Sequence, residues 1–257
     1  MNDAGVDPAT LLARLDAIGL ALRDSGYGLA LLGLGSVGLD RDRLDRHSDL
    51  DFFAVVEPGH KARFLERLDW LAAAKPIAGH YRNTVDGYKA LMSDGVFCEF
   101  AVFEPQELDA IPFAPGRVVW KRADVDDAIA VPRKPLPDDA LPDEEWIVGE
   151  ALGLLFVGMQ RWRRGEKLSA ARLVQVHAID RLIELDALRA RQRGEAGAAG
   201  RDPFGRERRL ERSSPALAGE LAALMPGYEG TPQAVRAIVA AFERRGARLS
   251  PAVLQRL

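Results

Sequence analysis

Prolines at positions 132, 135, 137 and 142 fall within one stretch, Ala123 to Asp143, that is otherwise rich in Asp and shows little periodicity. Proline fixes φ and lacks an amide hydrogen, so such a stretch resists both helix and sheet ladder and reads as a linker. It separates two kinds of pattern. Before it, a helical face of Leu11, Leu12, Leu15, Ile18 and Leu22 spans about Pro8 to Asp24 and is ended by Ser25-Gly26. Short apolar runs follow. Tyr27 to Leu34 and Phe52 to Val56 read as strands, and Lys61 to about Ala74 as a helix. Gly79 to Thr84, Tyr88 to Ser93 and Val96 to Phe103 are separated by Asp86-Gly87 and Asp94-Gly95, which suit tight turns of an antiparallel meander. Beyond the linker everything reads as helix: Leu152, Leu155, Phe156, Met159 and Trp162 form one stripe, Leu173, Val176, Ile179 and Ile183 another. Further helices are expected near Pro215 to Leu224, Pro232 to Arg245 and the C-terminus, with a mobile loop at Gly194 to Gly200. The expected organisation is α+β over residues 1–125 with a mixed sheet, a linker over 126–143, and an all-α helical bundle over 144–257, with the active site in the cleft between the two domains.

Composition narrows the partners. With 47% hydrophobic and 28% charged residues the chain is an ordinary globular protein, and a net charge of −3 gives no bulk attraction to nucleic acid. Any polyanion must meet local positive charge. The single cysteine, Cys98, excludes an intramolecular disulfide framework and a cysteine-rich zinc site. No apolar stretch approaches the roughly 20 residues needed to span a bilayer, and the acidic opening does not read as a signal peptide, so cytoplasm is the expected compartment and no membrane partner is expected.

The chemistry concentrates in Leu32 to Val56, LGLGSVGLDRDRLDRHSDLDFFAVV. A Gly-Ser pair, Gly35-Ser36, closes one strand, and Asp49-Leu50-Asp51 opens the next. Side chains two apart on a strand share a face, so Asp49 and Asp51 project together while Leu50 and Phe52 face the core. Uncompensated, the two carboxylates repel; a divalent cation taking both as oxygen ligands removes the conflict, and magnesium is the expected cofactor. The Gly-Ser turn offers unobstructed backbone N–H groups and a hydroxyl to a triphosphate. Glu99, in the otherwise apolar run Val96 to Phe103, is the candidate third acid: it either faces solvent on the open side of the sheet or serves a site. Cys98 then points the other way.

These residues resemble the nucleotidyltransferase signature of the DNA polymerase β superfamily. Within it the chain is most similar to the two-domain lincosamide nucleotidyltransferases and, more loosely, to aminoglycoside nucleotidyltransferases, where a Glu-Phe pair like Glu99-Phe100 follows. The helix Leu154 to Leu168, with its Arg-Gly-Glu, extends the likeness. Two departures fall on the acceptor side: a longer, more charged loop between Ser36 and Asp49, and Phe-Ala-Val-Phe after Glu99 where those enzymes tend to have Phe-His-Phe. The resemblance implies that Asp49 and Asp51 hold magnesium and the nucleoside triphosphate and that Gly35 and Ser36 grip its phosphates. Glu99 is then metal ligand, general base or both. It further implies transfer of a nucleoside monophosphate to a hydroxyl of a small-molecule acceptor, such as a lincosamide or aminoglycoside antibiotic, with release of pyrophosphate. Antibiotic resistance and a homodimer both remain open.

Other readings compete. Gly33 to Gly38 fits the G-x-G-x-x-G fingerprint of dinucleotide-binding oxidoreductases, but those glycines should open an amphipathic helix, and here a charged loop follows. A nucleotidyltransferase-like protein that modifies or binds a protein partner is the remaining alternative. Ser48 to Asp51 also fits a capping box, without a helix to start. Arg41, Arg43 and Arg46 are placed to neutralise phosphate. His47 reads as a loop residue, His177 as the edge of a helix interface, and Trp146 and Trp162 as core. The Arg201 to Arg212 run is a solvated helix face or an aid to phosphate binding.

Overall fold

A computed structural model describes residues 5–134, 136, 140–195 and 205–257. Most of the Gly194 to Gly200 segment, together with Pro135, Pro137 and Arg201, lies outside them. The chain divides into two compact units, 1–137 and 138–257. The first is α+β with a six-stranded mixed sheet and the second is helical, the expected fold class. Among the described residues no helix is long and apolar enough to cross a membrane.

The first unit opens with α1 (Pro8–Asp24), started by Pro8 and by the Asp7 side chain, which accepts from Ala9 N at 3.3 Å. Strands β1 (Gly28–Gly33) and β2 (Leu50–Val56) pair antiparallel. Between β2 and the meander lie α2 (Lys61–Glu66) and α3 (Asp69–Ala74). The single helix expected there is broken because Trp70 folds back, its Nε1 donating to Phe64 O at 3.2 Å, while Arg63 grips both oxygens of Asp69. The meander β3 (Ile77–Arg82), β4 (Gly87–Met92) and β5 (Phe97–Phe103) is antiparallel as expected. Its second turn spans Ser93 to Gly95, with Gly95 at φ +87°. At the first turn Gly87 is not the pivot. It lies in β4, where a Cβ would stand 2.4 Å from Phe100 O, so it is glycine for close strand approach.

β5 inserts beside β2 in the parallel sense, and β6 (Arg117–Lys121), not foreseen from the sequence, pairs with β1. The order is β3-β4-β5-β2-β1-β6. One face, with Leu31, Leu50, Phe52, Ala54, Cys98, Phe100 and Ala90, packs on the apolar sides of α1, α2 and α3. The opposite face of β1, β2 and β5 is covered at one end by Leu108 of the short α4 (Pro105–Leu108), Phe113 and Ala130, the last belonging to the proline-rich stretch.

In the second unit α5 (Glu144–Arg163) starts at Asp143, whose carboxylate accepts from Trp146 N at 2.8 Å. It stops at Gly165, φ +80°, with Glu166 N returning to Arg161 O at 2.9 Å, so the Arg-Gly-Glu triplet has a local cause as a helix terminus. Then come α6 (Lys167–Arg172), a π-helical turn (Leu173–His177) and α7 (Ala178–Gln192). The π turn shifts the helical phase, so the buried face carries Val174, Ala178, Ile179, Leu182 and Ile183, and Val176 of the expected stripe is exposed. Gly158 on α5 admits this turn: a Cβ there would lie 2.6 Å from Val174 Cγ2. Short α8 (Leu210–Ser213), α9 (Pro215–Leu224), α10 (Thr231–Arg244) and α11 (Pro251–Leu254) complete the unit. Trp162 packs half-buried against the core, but Trp146 is 48% exposed under Arg181 and is not a core residue.

Candidate functional site

The Gly-Ser turn and the Asp-x-Asp strand meet. Gly33 pairs with Phe52, and Leu34 N donates to Asp51 O at 2.8 Å, so β1 delivers Gly35 to the side of Asp51. Gly35 has φ +50°, a left-handed conformation that a Cβ disfavours. A Cβ placed on it would stand 3.7 Å from Asp51 Oδ2, which measures how closely the turn abuts the carboxylate. Gly35 to Val37 form one 3-10 turn, closed by Gly38 N to Leu34 O at 2.9 Å and by Asp40 N to Gly35 O at 3.1 Å.

The other two glycines of the fingerprint are packing devices. A Cβ on Gly33 would meet Val37 O at 2.9 Å, and one on Gly38 would meet Gly33 O at 2.6 Å. Only a three-residue 3-10 helix, Arg41–Arg43, lies between the turn and β2, and β1 and β2 run antiparallel, so the strand–helix–parallel-strand unit that a dinucleotide fold requires is absent at this turn. In the loop that follows, His47 N donates to Asp45 Oδ1 at 2.8 Å and Asp45 N to Ser48 Oγ at 3.0 Å, a local turn that aims the chain into β2.

Asp49 stands immediately before β2 and Asp51 is its second residue; both are half-buried, while Leu50 and Phe52 are buried on the helix-covered face. Glu99 lies directly opposite Asp51 in the parallel β2–β5 register, and Lys89 lies opposite Glu99 on β4. Asp51, Glu99 and Lys89 therefore form one cross-strand row, extended by Tyr81 on β3. Within it Lys89 Nζ is 2.9 Å from Glu99 Oε2, and Asn83 Nδ2 donates to Glu99 Oε1 at 3.1 Å. The Glu99 carboxylate raises the Lys89 ammonium above its ordinary value, first by the hydrogen bond and then by charge, with Asp49 adding to the field. Cys98 points the other way, and burial pushes its thiol up to about 12.

The donor chemistry fits magnesium at Asp49 and Asp51: two hard oxygen ligands from one strand face, against a turn whose glycine keeps the approach clear. Glu99 is adjacent but engaged, and among the described residues no cluster of three or more acids, histidines or cysteines is close enough to hold one ion. Lys89 and Asn83 were not singled out in the sequence; strand register places Lys89 opposite Glu99, and Asn83 reaches the same carboxylate from the turn after β3. Arg117 was also missed. Its Nε donates to Val37 O at 3.3 Å, and burial followed by the neighbouring charge of Arg41 lowers its pKa, which puts two guanidinium groups near the Gly35 to Val37 turn. A cavity of about 530 Å³ lined by Leu29, Leu108, Val125 and Ile129 opens at the other end of β1, and Asp49, Asp51 and Glu99 do not line it.

No protein-family model matches the chain, and no curated protein matches it. Solved structures similar to it include an aminoglycoside 6-adenyltransferase from Bacillus subtilis, 14% identical, with 95% of this chain and 90% of that one covered and a TM-score of 0.35. A nucleotidyltransferase-like protein from Exiguobacterium sibiricum is 13% identical over 89% of this chain and 74% of that one, with a TM-score of 0.31. Likeness at that distance decides nothing about activity. The functional reading rests on the site residues.

Proposed function

We propose that the chain is a magnesium-dependent nucleotidyltransferase that moves a nucleoside monophosphate from a nucleoside triphosphate to a hydroxyl of a small-molecule acceptor. The observation that carries this reading is the meeting of the left-handed Gly35 turn with Asp51, whose cross-strand neighbour is Glu99. Asp49 and Asp51 would hold the magnesium, with Glu99 sharing it, and Gly35 and Ser36 would hold phosphate oxygens at the turn. Bound magnesium would supply Lewis-acid stabilisation of charge on the phosphates. The acceptor oxygen attacks the α-phosphorus in line, the bond to the β-phosphate oxygen breaks, pyrophosphate leaves, and the acceptor proton passes to Glu99 as general base. The sequence resemblance supports lincosamides or aminoglycosides as the acceptors to try first.

The test is incubation with each labelled nucleoside triphosphate, magnesium and a panel of lincosamides and aminoglycosides, followed by mass analysis. The expected product is an acceptor heavier by one nucleoside monophosphate. Calorimetry of Asp49→Asn with Asp51→Asn accompanies it, and magnesium-dependent nucleotide binding should be abolished. Equal binding by the double variant and the unaltered protein would overturn the metal assignment and, with it, the function.

A further inference from the structure

The carboxylate of Glu99 has two claimants. One is Lys89, whose ammonium lies 2.9 Å from Oε2 while Asn83 secures Oε1. The other is the divalent cation that Asp49 and Asp51 are placed to bind beside it. Two cations beside one carboxylate repel, so a metal shared by Glu99 loosens its hold on the ammonium. Asn83 leaves its own Oδ1 buried without a hydrogen-bond partner, which fits a residue placed to grip Glu99 rather than to satisfy itself. Lys89 is different in kind: its side chain is 31% exposed on a flexible stem, and it can exchange partners without unpacking the core.

The row Asp51, Glu99, Lys89 carries the new partner's identity. Asp49, Asp51 and Glu99 bring three negative charges to the face where a triphosphate must bind, and Lys89 is the basic side chain in register with them. We propose that Lys89 is both a positioning residue for Glu99 and a phosphate ligand: it holds Glu99 against Asn83, and pairs with a phosphate oxygen of the nucleoside triphosphate when Glu99 turns to the metal. This rests on the nucleotidyltransferase reading above. It makes Lys89 an antagonist of metal alone and a partner of metal with phosphate.

Opposite signs on two binding measurements test it. Free Mn²⁺ binding, read by electron paramagnetic resonance, should tighten about two- to fivefold in Lys89→Gln, the scale of a released half-exposed ion pair. Binding of inorganic tripolyphosphate with Mg²⁺, read by calorimetry, should weaken about tenfold in the same variant, as befits loss of a charge-assisted hydrogen bond. Lys89→Arg, which keeps the charge, should restore most of the tripolyphosphate affinity and guards against misfolding of the glutamine variant. A purely structural lysine would move both affinities in one direction or neither, and either result would overturn the proposal. If unaltered protein binds Mn²⁺ no better than Asp49→Asn with Asp51→Asn, the nucleotidyltransferase reading itself fails, a result distinct from failure of the Lys89 assignment.

Discussion

Replacing Gly35 by alanine separates strain from function. At φ +50° an L-residue costs roughly 1–2 kcal/mol relative to glycine. The added Cβ would stand 3.7 Å from Asp51 Oδ2, an ordinary contact, so no steric penalty adds to the backbone one. Gly28 provides the contrast, because a Cβ there would meet Leu22 O at 2.6 Å and Leu22 Cγ at 2.7 Å, where overpacking costs about 1–3 kcal/mol. Gly35→Ala should thus lose about 1–2 kcal/mol of stability in the first unit, with the denaturant slope unchanged. Its magnesium-dependent nucleotide affinity should fall at least about tenfold, the loss expected of one charge-assisted hydrogen bond at the turn. Gly28→Ala should lose stability without losing affinity. Urea unfolding followed through the accessibility of Cys98, which lies in the first unit, gives the stability, and calorimetry with Mg-ATP gives the affinity. A Gly35→Ala protein that binds Mg-ATP as tightly as the unaltered chain would refute the placement of phosphate at this turn.

Glu99→Gln, which leaves Asp49 and Asp51 in place, should keep most nucleotide binding and lose about 10²–10⁴-fold in turnover, because a general base acts on the rate and little on ground-state binding; full turnover in stopped assays would remove Glu99 from the chemistry. The thiol of Cys98, pushed up to about 12 by burial, should resist a disulfide reagent at pH 8 until urea opens the first unit, and rapid stoichiometric labelling of native protein would contradict its placement under the helices. In the second unit burial raises the Glu184 carboxyl above its ordinary 4.5, outweighing Arg181 Nη2 and Arg206 Nη1, which donate to its Oε1 at 2.9 and 3.2 Å. Its folded form binds the proton more tightly than the unfolded chain, so the stability it contributes is present at low pH and lost as pH rises from about 4.5 through the raised value. Glu184→Gln should gain stability relative to the unaltered protein across that rise, and chemical unfolding at a series of pH values showing a constant or reversed gap would sink the assignment.

What could be read in advance was what depends on periodicity along one strand or helix. The period of two put Asp49 and Asp51 on one side and Leu50 and Phe52 on the other, and it turned Cys98 away from Glu99; all of this holds in the structure. What depends on register between strands could not be read. That Asp51 faces Glu99 requires β5 to enter beside β2, and that Glu99 faces Lys89 requires the β4–β5 hairpin to close on Ser93 to Gly95. Neither follows from spacing. Val176 was misplaced because a single π turn rotates the helical face, a shift that an average period conceals. β6 left a signal in Arg-Val-Val-Trp-Lys that the proline-rich sequence after it obscured.

The location of the acids follows from which parts of the sheet are covered. Under α1, α2 and α3 the sheet presents Leu50, Phe52, Cys98 and Phe100, and a carboxylate there would be buried without a partner at a cost of several kcal/mol. The other face is apolar where Leu108, Phe113 and Ala130 lie on it, at Phe53, Val55 and Phe103. Toward the starts of β2 and β5 that cover ends: Phe97 is 37% and Leu91 42% exposed, and they are cross-strand partners. There a charged row is hydrated enough to persist and still held by the strands, and there the C-terminal end of antiparallel β1 brings the Gly35 turn. The acids, the turn and Lys89 thus share a strand-held part of the sheet whose surface is open, outside both apolar clusters.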